Sequence, residues 1–447
     1  MRRVLFVSFF FPPSNVVGAI RASKLAKYLP VHGWEPTVLT VDRFVSRPDT
    51  LAMELPAPHI VRAPFWDPVG ALLARKRSSG SASAANPAST AGLGPGPGLA
   101  RGWLTALARS LPGVTTMHVP DRAFPWYGPA VGVGLRILRA RRYDALLSTS
   151  PPPTAHLVAA TLSGLTGVPW VADYRDLWSG NHATSLGPVR RRIEQEIERR
   201  CLSGASAIVS VSNPFGEGIG RLHGRRVQVV SNGFDPAEVV EPTPAAVIAP
   251  APVDGGPLTL TYTGAIYSEY QDPAPLLAGI ARLRDRGALA PGELMTHFYG
   301  SDQGPLPALV AQYGVGDFVR CHGFVPRAEA VAAQRVADAL VVLDWNAPEE
   351  RGVLPLKALE YLQARRPILV VGTRRDALLV RLLGEARVGT HCTSAREVAA
   401  TLAAWIAQRK TSRTGRLPYA GDPEVIDRYS WPRLAGDYAA LLTAVAR

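Results

Sequence analysis

The sequence predicts an α/β protein of two βαβα halves, each a parallel sheet with helices on its faces. Three observations predict this. Residues 4–10 form an apolar strand run that leads through a Pro- and Gly-containing loop into a helical pattern on Ile20, Leu25 and Leu29. The same order of strand, glycine turn and helix starts again at Leu258 to Gly264. Between the two lies a Pro- and Ala-rich stretch, residues 236–257, whose composition suits a semi-rigid linker. Alternation of this kind makes twin sheets without any sequence repeat. A length of 447 residues with 47% hydrophobic content allows two or three domains with sizeable cores.

Composition narrows the function classes. No window holds eighteen uninterrupted apolar residues, so no membrane-spanning helix is expected. The run after Met1-Arg-Arg resembles a signal peptide only at its start. Phe11-Pro-Pro follows with no small-residue cleavage site, so a buried first strand is expected there. Cys201, Cys321 and Cys392 stand far apart, and the nine His show no His-x-x-x-His pair. This predicts a cytoplasmic protein with no disulfide and no structural metal. The net charge of +13 is the outlier, with arginine clusters at 139–142, 190–192, 199–200 and 225–226. Such a surface favours anionic lipid, nucleic acid or a phosphorylated substrate. An arginine-rich composition from a GC-rich genome gives the same charge. No zinc-ligand or aromatic RNP pattern accompanies it, so nucleic acid is not expected as a partner, and an anionic membrane surface is preferred.

Taken in order, the first strand is followed by the loop 12–19, where Gly18 would let the backbone approach a ligand. Arg21 then sits on the first turn of the helix. No Gly-x-Gly-x-x-Gly occurs here and no Gly-Lys dipeptide anywhere, so a standard P-loop is excluded. Residues 75–100 are a low-complexity insertion with little to bury. Trp103 to Leu111 reads either as a core helix or as a segment that dips into a lipid interface. Asp144 to Ser150 is a strand, with a helix from His156 to Leu165. Val168 to Ala172 is the next, and Asp173, Arg175 and Asp176 stand where that strand ends. Ligands of open α/β sheets bind beyond such ends, so these three are candidates for the chemistry. A structural ion network is the alternative. His156 is a second candidate, or a packing residue. Residues 205–211 and 227–230 read as buried strands, and Ser231 to Asp235 as a sharp turn.

In the second half, Gly264 and Gly300 each follow a strand, and Phe318 to Val325 leads into another helix. The stretch Gly352 to Gly372 is the most informative. Leu356, Leu359 and Leu362 recur at helical spacing after Pro355, Arg366-Pro367 ends the helix, and Ile368 to Val371 is a buried strand. Lys357 and Glu360, three apart, leave one face near the helix start. Free N–H groups and Lys357 can hold phosphates there, and Glu360 can take ribose hydroxyls. A plain surface Lys–Glu pair is the alternative.

The run Lys357-x-x-Glu-Tyr-Leu-x-Ala-x-Arg-Pro-Ile-Leu369 resembles the donor-site segment of family-4 glycosyltransferases. The first βαβ unit, the Asp173-x-Arg-Asp-x-Trp178 run, Ser231-Asn-Gly-Phe-Asp235 and the tail Tyr429-Ser-Trp-Pro-Arg resemble further segments of that family. The resemblance covers nearly the whole chain outside the low-complexity insertion. It implies the GT-B fold: two Rossmann-like lobes facing a cleft, with a C-terminal helix crossing back to the first lobe. The implied lobes are 1–235 on the acceptor side and 258–415 on the donor side, with 416–447 returning to the first. It further implies a retaining sugar transfer from a nucleotide-sugar to a glycan, lipid-linked or small-molecule acceptor, without a metal or other cofactor. The absence of any Asp-x-Asp agrees with that.

By the same resemblance Asp173, Arg175, Asp176 and Lys357 would be catalytic. Gly18, Arg21, Gly264, Gly300, Phe324, Val325, Gly352, Val353, Leu354 and Glu360 would line the donor site. Two departures stand out. The family places two Glu eight positions apart, and Gly352 occupies the place of the first; the family's cations after the glycine turn are missing behind Gly264. Arg351 and Lys357 would then carry more of the phosphate charge. A peripheral position on the inner face of a membrane is expected from the basic first lobe. A nucleotide-sugar 2-epimerase and a non-catalytic GT-B partner protein are the two alternatives.

Overall fold

A computed structural model describes residues 1–14, 16–42, 51–66, 119–181, 187–238, 256–300, 303–346, 352–372 and 374–446. The low-complexity insertion, the Trp103 to Leu111 segment and Arg351 lie outside the described residues. The chain divides into two compact units, Met1–Asn232 with Trp431–Arg447, and Gly233–Ser430.

The first unit runs β1 (Arg2–Ser8), α1 (Val17–Tyr28), β2 (Trp34–Val41), β3 (Ile60–Ala63), α2 (Tyr127–Ala140), β4 (Ala145–Ser150), α3 (Thr154–Thr166), β5 (Trp170–Tyr174), α4 (Pro188–Ser203), β6 (Ala207–Ser210), α5 (Asn213–His223) and β7 (Gln228–Val229). Its seven strands are parallel in the order β3-β2-β1-β4-β5-β6-β7. Helices on both faces explain why β1 is a continuous apolar run rather than an alternating one. Val4 and Phe6 point to one core, with Leu25 of α1, while Leu5 and Val7 point to the other, with Val133 and Val158 of α2 and α3. The stretch at 227–230 is not a buried strand: β7 has two residues, both exposed, because it ends the sheet.

The second unit runs β8 (Leu258–Thr263), α6 (Ala274–Asp285), β9 (Leu294–Tyr299), α7 (Leu306–Tyr313), β10 (Val319–Gly323), α8 (Arg327–Val336), β11 (Ala339–Leu343), α9 (Leu356–Ala364), β12 (Ile368–Val371), α10 (Leu378–Glu385), β13 (Gly389–Cys392), α11 (Ala395–Thr411) and α12 (Pro423–Asp427). Its six strands are parallel in the order β10-β9-β8-β11-β12-β13. Again the faces alternate, with Ile368 and Val370 in one core and Leu369 and Val371 in the other. Helix α9 ends at Ala364, where Arg365 takes a left-handed conformation (φ 53°), one residue before the expected Arg366-Pro367 stop.

The return to the first unit starts at Trp431, not at 416. Leu417 is buried in the second unit's core, and Tyr419, Val425 and Ile426 pack on its other core. From Trp431 onward, α13 (Trp431–Val445) turns Trp431, Leu434, Ala435, Tyr438, Ala439 and Leu442 into the first unit, a stripe at helical spacing. Among the described residues, no helix is long and apolar enough to cross a membrane.

Candidate active site

Both units carry their candidate residues beyond the carboxyl ends of parallel strands, where an open α/β sheet leaves loops free to meet ligands. Each cluster is internal to its own unit.

In the first unit, β5 delivers Asp173 to the end of the sheet with no exposed surface, and α1 brings Arg21, 2% exposed, against it. The pair is bidentate, Nε to Oδ2 at 2.9 Å and Nη2 to Oδ1 at 3.0 Å. Thr149 of β4 donates to Oδ2 at 2.8 Å and Tyr438 of α13 to Oδ1 at 2.6 Å. Four accepted bonds fill the carboxylate. Arg21 is likewise committed: Nη1 reaches Ser231 O (2.7 Å) and Asn232 Oδ1 (3.0 Å), and Nη2 also reaches Val230 O (2.8 Å). Burial alone would push the Asp173 carboxyl up, but the charge and hydrogen bonds of Arg21 leave it below its usual range. Burial works against the Arg21 charge too, and Asp173 and Tyr438 together outweigh it.

The geometry therefore corrects two expectations. Arg21 has no N–H left for a nucleotide-sugar, and Asp173 has no lone pair left for a substrate proton. Spacing places both residues near a sheet end; only the folded chain turns them to face one another.

Arg175 and Asp176 stay half-buried. Arg175 donates Nε to Ser150 O at 3.2 Å and Nη2 to Pro151 O, which lays its guanidinium on the first turn of α1. A Cβ at Gly18 would lie 2.5 Å from Arg175 Nη1, so Gly18 is a helical glycine that admits this guanidinium rather than a loop glycine open to ligand. Burial draws Arg175 down to about 10, with Asp176 and Asp173 opposing. The Asp176 carboxyl is pushed up by burial, with Arg175 opposing, and has no hydrogen-bond partner among the described residues. His156 is fully buried, with Nδ1 2.8 Å from Ser148 Oγ, and that oxygen accepts from Trp170 Nε1 at 2.7 Å. Burial lowers its pKa to about 4, and its Nε2 has no partner. It is a core histidine.

Asp121 carried no signal in the sequence. Its carboxylate accepts from the N–H of Thr154 at 2.7 Å and of Ala123 at 2.7 Å, which closes the start of α3. Burial raises it to about 6, those hydrogen bonds opposing. Distance in sequence, 33 positions, hid the pairing.

In the second unit three strand ends meet through glycines. Gly264 follows β8 with φ 111°, a conformation for glycine, and donates its N–H to Tyr299 O at 2.6 Å. Gly300 follows β9, and a Cβ there would overlap the Gly264 carbonyl. Its N–H is held by Gly323 O of β10 at 2.7 Å. Lys357, in the first turn of α9, reaches over this turn. Its Nζ donates to Tyr262 Oη and to Ala265 O (3.3 Å), and a Cβ on Gly264 would stand 3.1 Å from it. Burial lowers the Lys357 amine to about 7, with Glu360 opposing. No carboxylate touches it among the described residues.

Glu360 is drawn to Arg327 of α8 at 2.9 Å, and Arg327 also grips Glu238 at 2.7 and 3.0 Å. The structure thus joins Gly264, Gly300 and Lys357 and adds two residues passed over in sequence, Tyr262 and Arg327. Phe324 is 63% exposed just past β10, with Val325 half-buried. Gly352 is buried, Val353 and Leu354 are half-buried, and Leu354 packs on the core. Asp344, after β11, was also passed over; it is 3% exposed with Oδ2 unpartnered, and burial pushes its carboxyl up. Among the described residues no group of three or more His, Cys, Asp or Glu is placed to hold a metal.

A family profile described as "Glycosyl transferase 4-like domain" matches residues 18–233. The match takes in most of the first unit and a little under half of the chain. The two α/β units are those of the GT-B fold. Among solved structures, the chain is similar to sucrose-phosphate synthase from Thermosynechococcus elongatus (TM-score 0.58, 15% identity, 99% of each chain covered). It is also similar to Anabaena HepE in complex with UDP (TM-score 0.55, 14% identity, 100% of this chain and 97% of that one). A third likeness is to the N-terminal domain of Candida albicans trehalose-6-phosphate phosphatase (TM-score 0.63, 12% identity, 100% and 97%). At these identities the likeness speaks to fold alone. No curated protein matches the chain by sequence.

Proposed function

We propose that this protein is a glycosyltransferase that moves a sugar, with retention, from a nucleotide-sugar to a glycan, lipid-linked or small-molecule acceptor. The observation that carries the reading is the Gly264–Gly300–Lys357 arrangement. Two strand ends close on one another through these glycines, and a lysine with only a hydroxyl and a carbonyl as partners stands over the turn. A diphosphate placed there meets an amine that lacks a counter-ion, and the first turn of α9 adds its positive end.

Lys357 and backbone N–H groups would stabilise charge on the departing nucleoside diphosphate, and electrostatic stabilisation of that kind contributes most to lowering such a barrier. Glu360, held by Arg327, would accept from ribose hydroxyls, and Phe324 and Val325 would frame the base. In the first unit, Arg175 and Asp176 are the groups with capacity left for an acceptor, while Asp173 and Arg21 position the strand end that carries them. HepE is described with UDP, which makes UDP the first nucleotide to try.

A thermal-shift series with UDP, GDP, ADP and TDP and their sugar conjugates tests this. Ligand at a hundred times its Kd adds about 2.7 kcal/mol of stability. One nucleotide family should raise the Tm, and Lys357→Ala should remove most of the shift. Gly352 in place of the family's first Glu favours a second reading, a non-catalytic partner protein. A folded protein that answers to no nucleotide would support that reading and overturn the first.

A further inference from the structure

Helix α4 presents an outer face unlike that of a solvated helix. Val189 and Ile193, one turn apart, are 70% and 51% exposed. Arg192 is exposed between them in sequence. Half-buried Arg191 borders a groove of about 340 Å³ lined by Pro188, Arg191, Arg192 and Gln195. Arg191 Nε is buried there with no hydrogen-bond partner.

The carboxylates of this helix do not offset these charges. Glu194 pairs with Arg190 at 2.9 Å, Glu196 with Arg200 at 2.7 Å, and Glu198 is buried against Ser179 and Tyr174. The first turn holds no acidic residue. It therefore combines the positive end of the helix, two arginines and two exposed aliphatic side chains.

We propose that the N-terminal face of α4 docks on an anionic lipid bilayer. Val189 and Ile193 enter the headgroup region, and Arg191 and Arg192 meet lipid phosphates. Apolar side chains flanked by arginine are what an interfacial helix needs, since hydrophobic insertion and attraction to anionic lipid each contribute. An acidic protein or a nucleic acid would match the arginines but leave the exposed aliphatic pair without a role. The helix also connects β5 to a parallel neighbour, so its start lies at the sheet edge that carries Arg175 and Asp176. Docking there brings that edge to the lipid surface, where a lipid-borne acceptor would be presented. That last consequence rests on the glycosyl-transfer reading; the docking does not.

Co-sedimentation of the full chain tests it, with vesicles of phosphatidylcholine alone and of phosphatidylcholine mixed with phosphatidylglycerol. The protein should bind the mixed vesicles, release them as NaCl rises, and ignore phosphatidylcholine alone. R191Q/R192Q should lower partitioning roughly 30-fold, since each basic side chain near an anionic surface contributes about fivefold. V189S/I193S should lower it at least about tenfold through lost insertion. Melting curves and the nucleotide-induced shift serve as controls and should not change in either variant. They separate misfolding, and failure of the glycosyl-transfer reading, from failure of docking. Folded variants that bind as wild type does, or a folded wild type that binds no anionic vesicle, would overturn the proposal.

Discussion

Arg21 and Lys357 are both cations carried on the early part of a helix next to a strand end, yet they are in opposite states. Arg21 is buried with every N–H taken and a carboxylate face to face. Lys357 is half-buried, touches a phenol and a carbonyl, and has burial rather than a counter-ion as its dominant influence. A saturated pair of this kind holds structure, and a partner missing from it is costly. A cation desolvated without a counter-ion is where the proposed diphosphate would find an unmatched charge. The contrast separates a tie within the fold from a candidate site.

The largest expected effect tests the closed side of the contrast. Asp173→Asn leaves a buried guanidinium without its counter-charge, and the folded state should lose about 3–5 kcal/mol. Denaturant unfolding measures it, and an unchanged midpoint would mean that the pair is not a structural tie. Next comes pH. The folded state keeps His156 neutral down to about 4, while the unfolded chain takes a proton at 6.5. The unfolded state then binds more protons between those values, so stability is full above pH 6.5 and falls by about 3 kcal/mol as pH drops to about 4. His156→Phe should flatten that slope without altering the neutral-pH melting profile in shape.

The open side should titrate near neutrality instead. With Lys357 brought down to about 7, a diphosphate bound above that pH must bring in a proton. Affinity for UDP, or whichever nucleotide binds, should fall by up to about tenfold per pH unit as pH rises from 7. Lys357→Met should lose about 2 kcal/mol of binding, the worth of a hydrogen bond to a charged group, and show no such slope. Calorimetry at three pH values checks both. Smallest is Glu360→Gln, which keeps shape while Arg327 retains Glu238; nucleotide affinity should drop by about 1 kcal/mol or less, with the Tm nearly constant.

Much of the fold was legible because its causes are local. Strand runs such as Val4 to Val7 and Ile368 to Val371 are apolar on both faces, since each face meets a helix layer. The stripe of α13 and the Pro355 start of α9 follow from helical spacing and proline geometry, which neighbours in sequence decide. Lys357 and the two glycines were legible for the same reason: each stands at a strand or helix end that periodicity locates.

What only the tertiary structure decided is which polar groups are spent. Asp173 is 152 positions from Arg21 and 265 from Tyr438, and Asp121 is 33 from the helix it closes. Glu360 meets Arg327 across two helices. Local sequence determines where a side chain leaves the backbone. Whether its hydrogen-bonding capacity is already used depends on partners that only the folded chain brings within 3 Å, and that is what divided the structural carboxylate from the waiting amine.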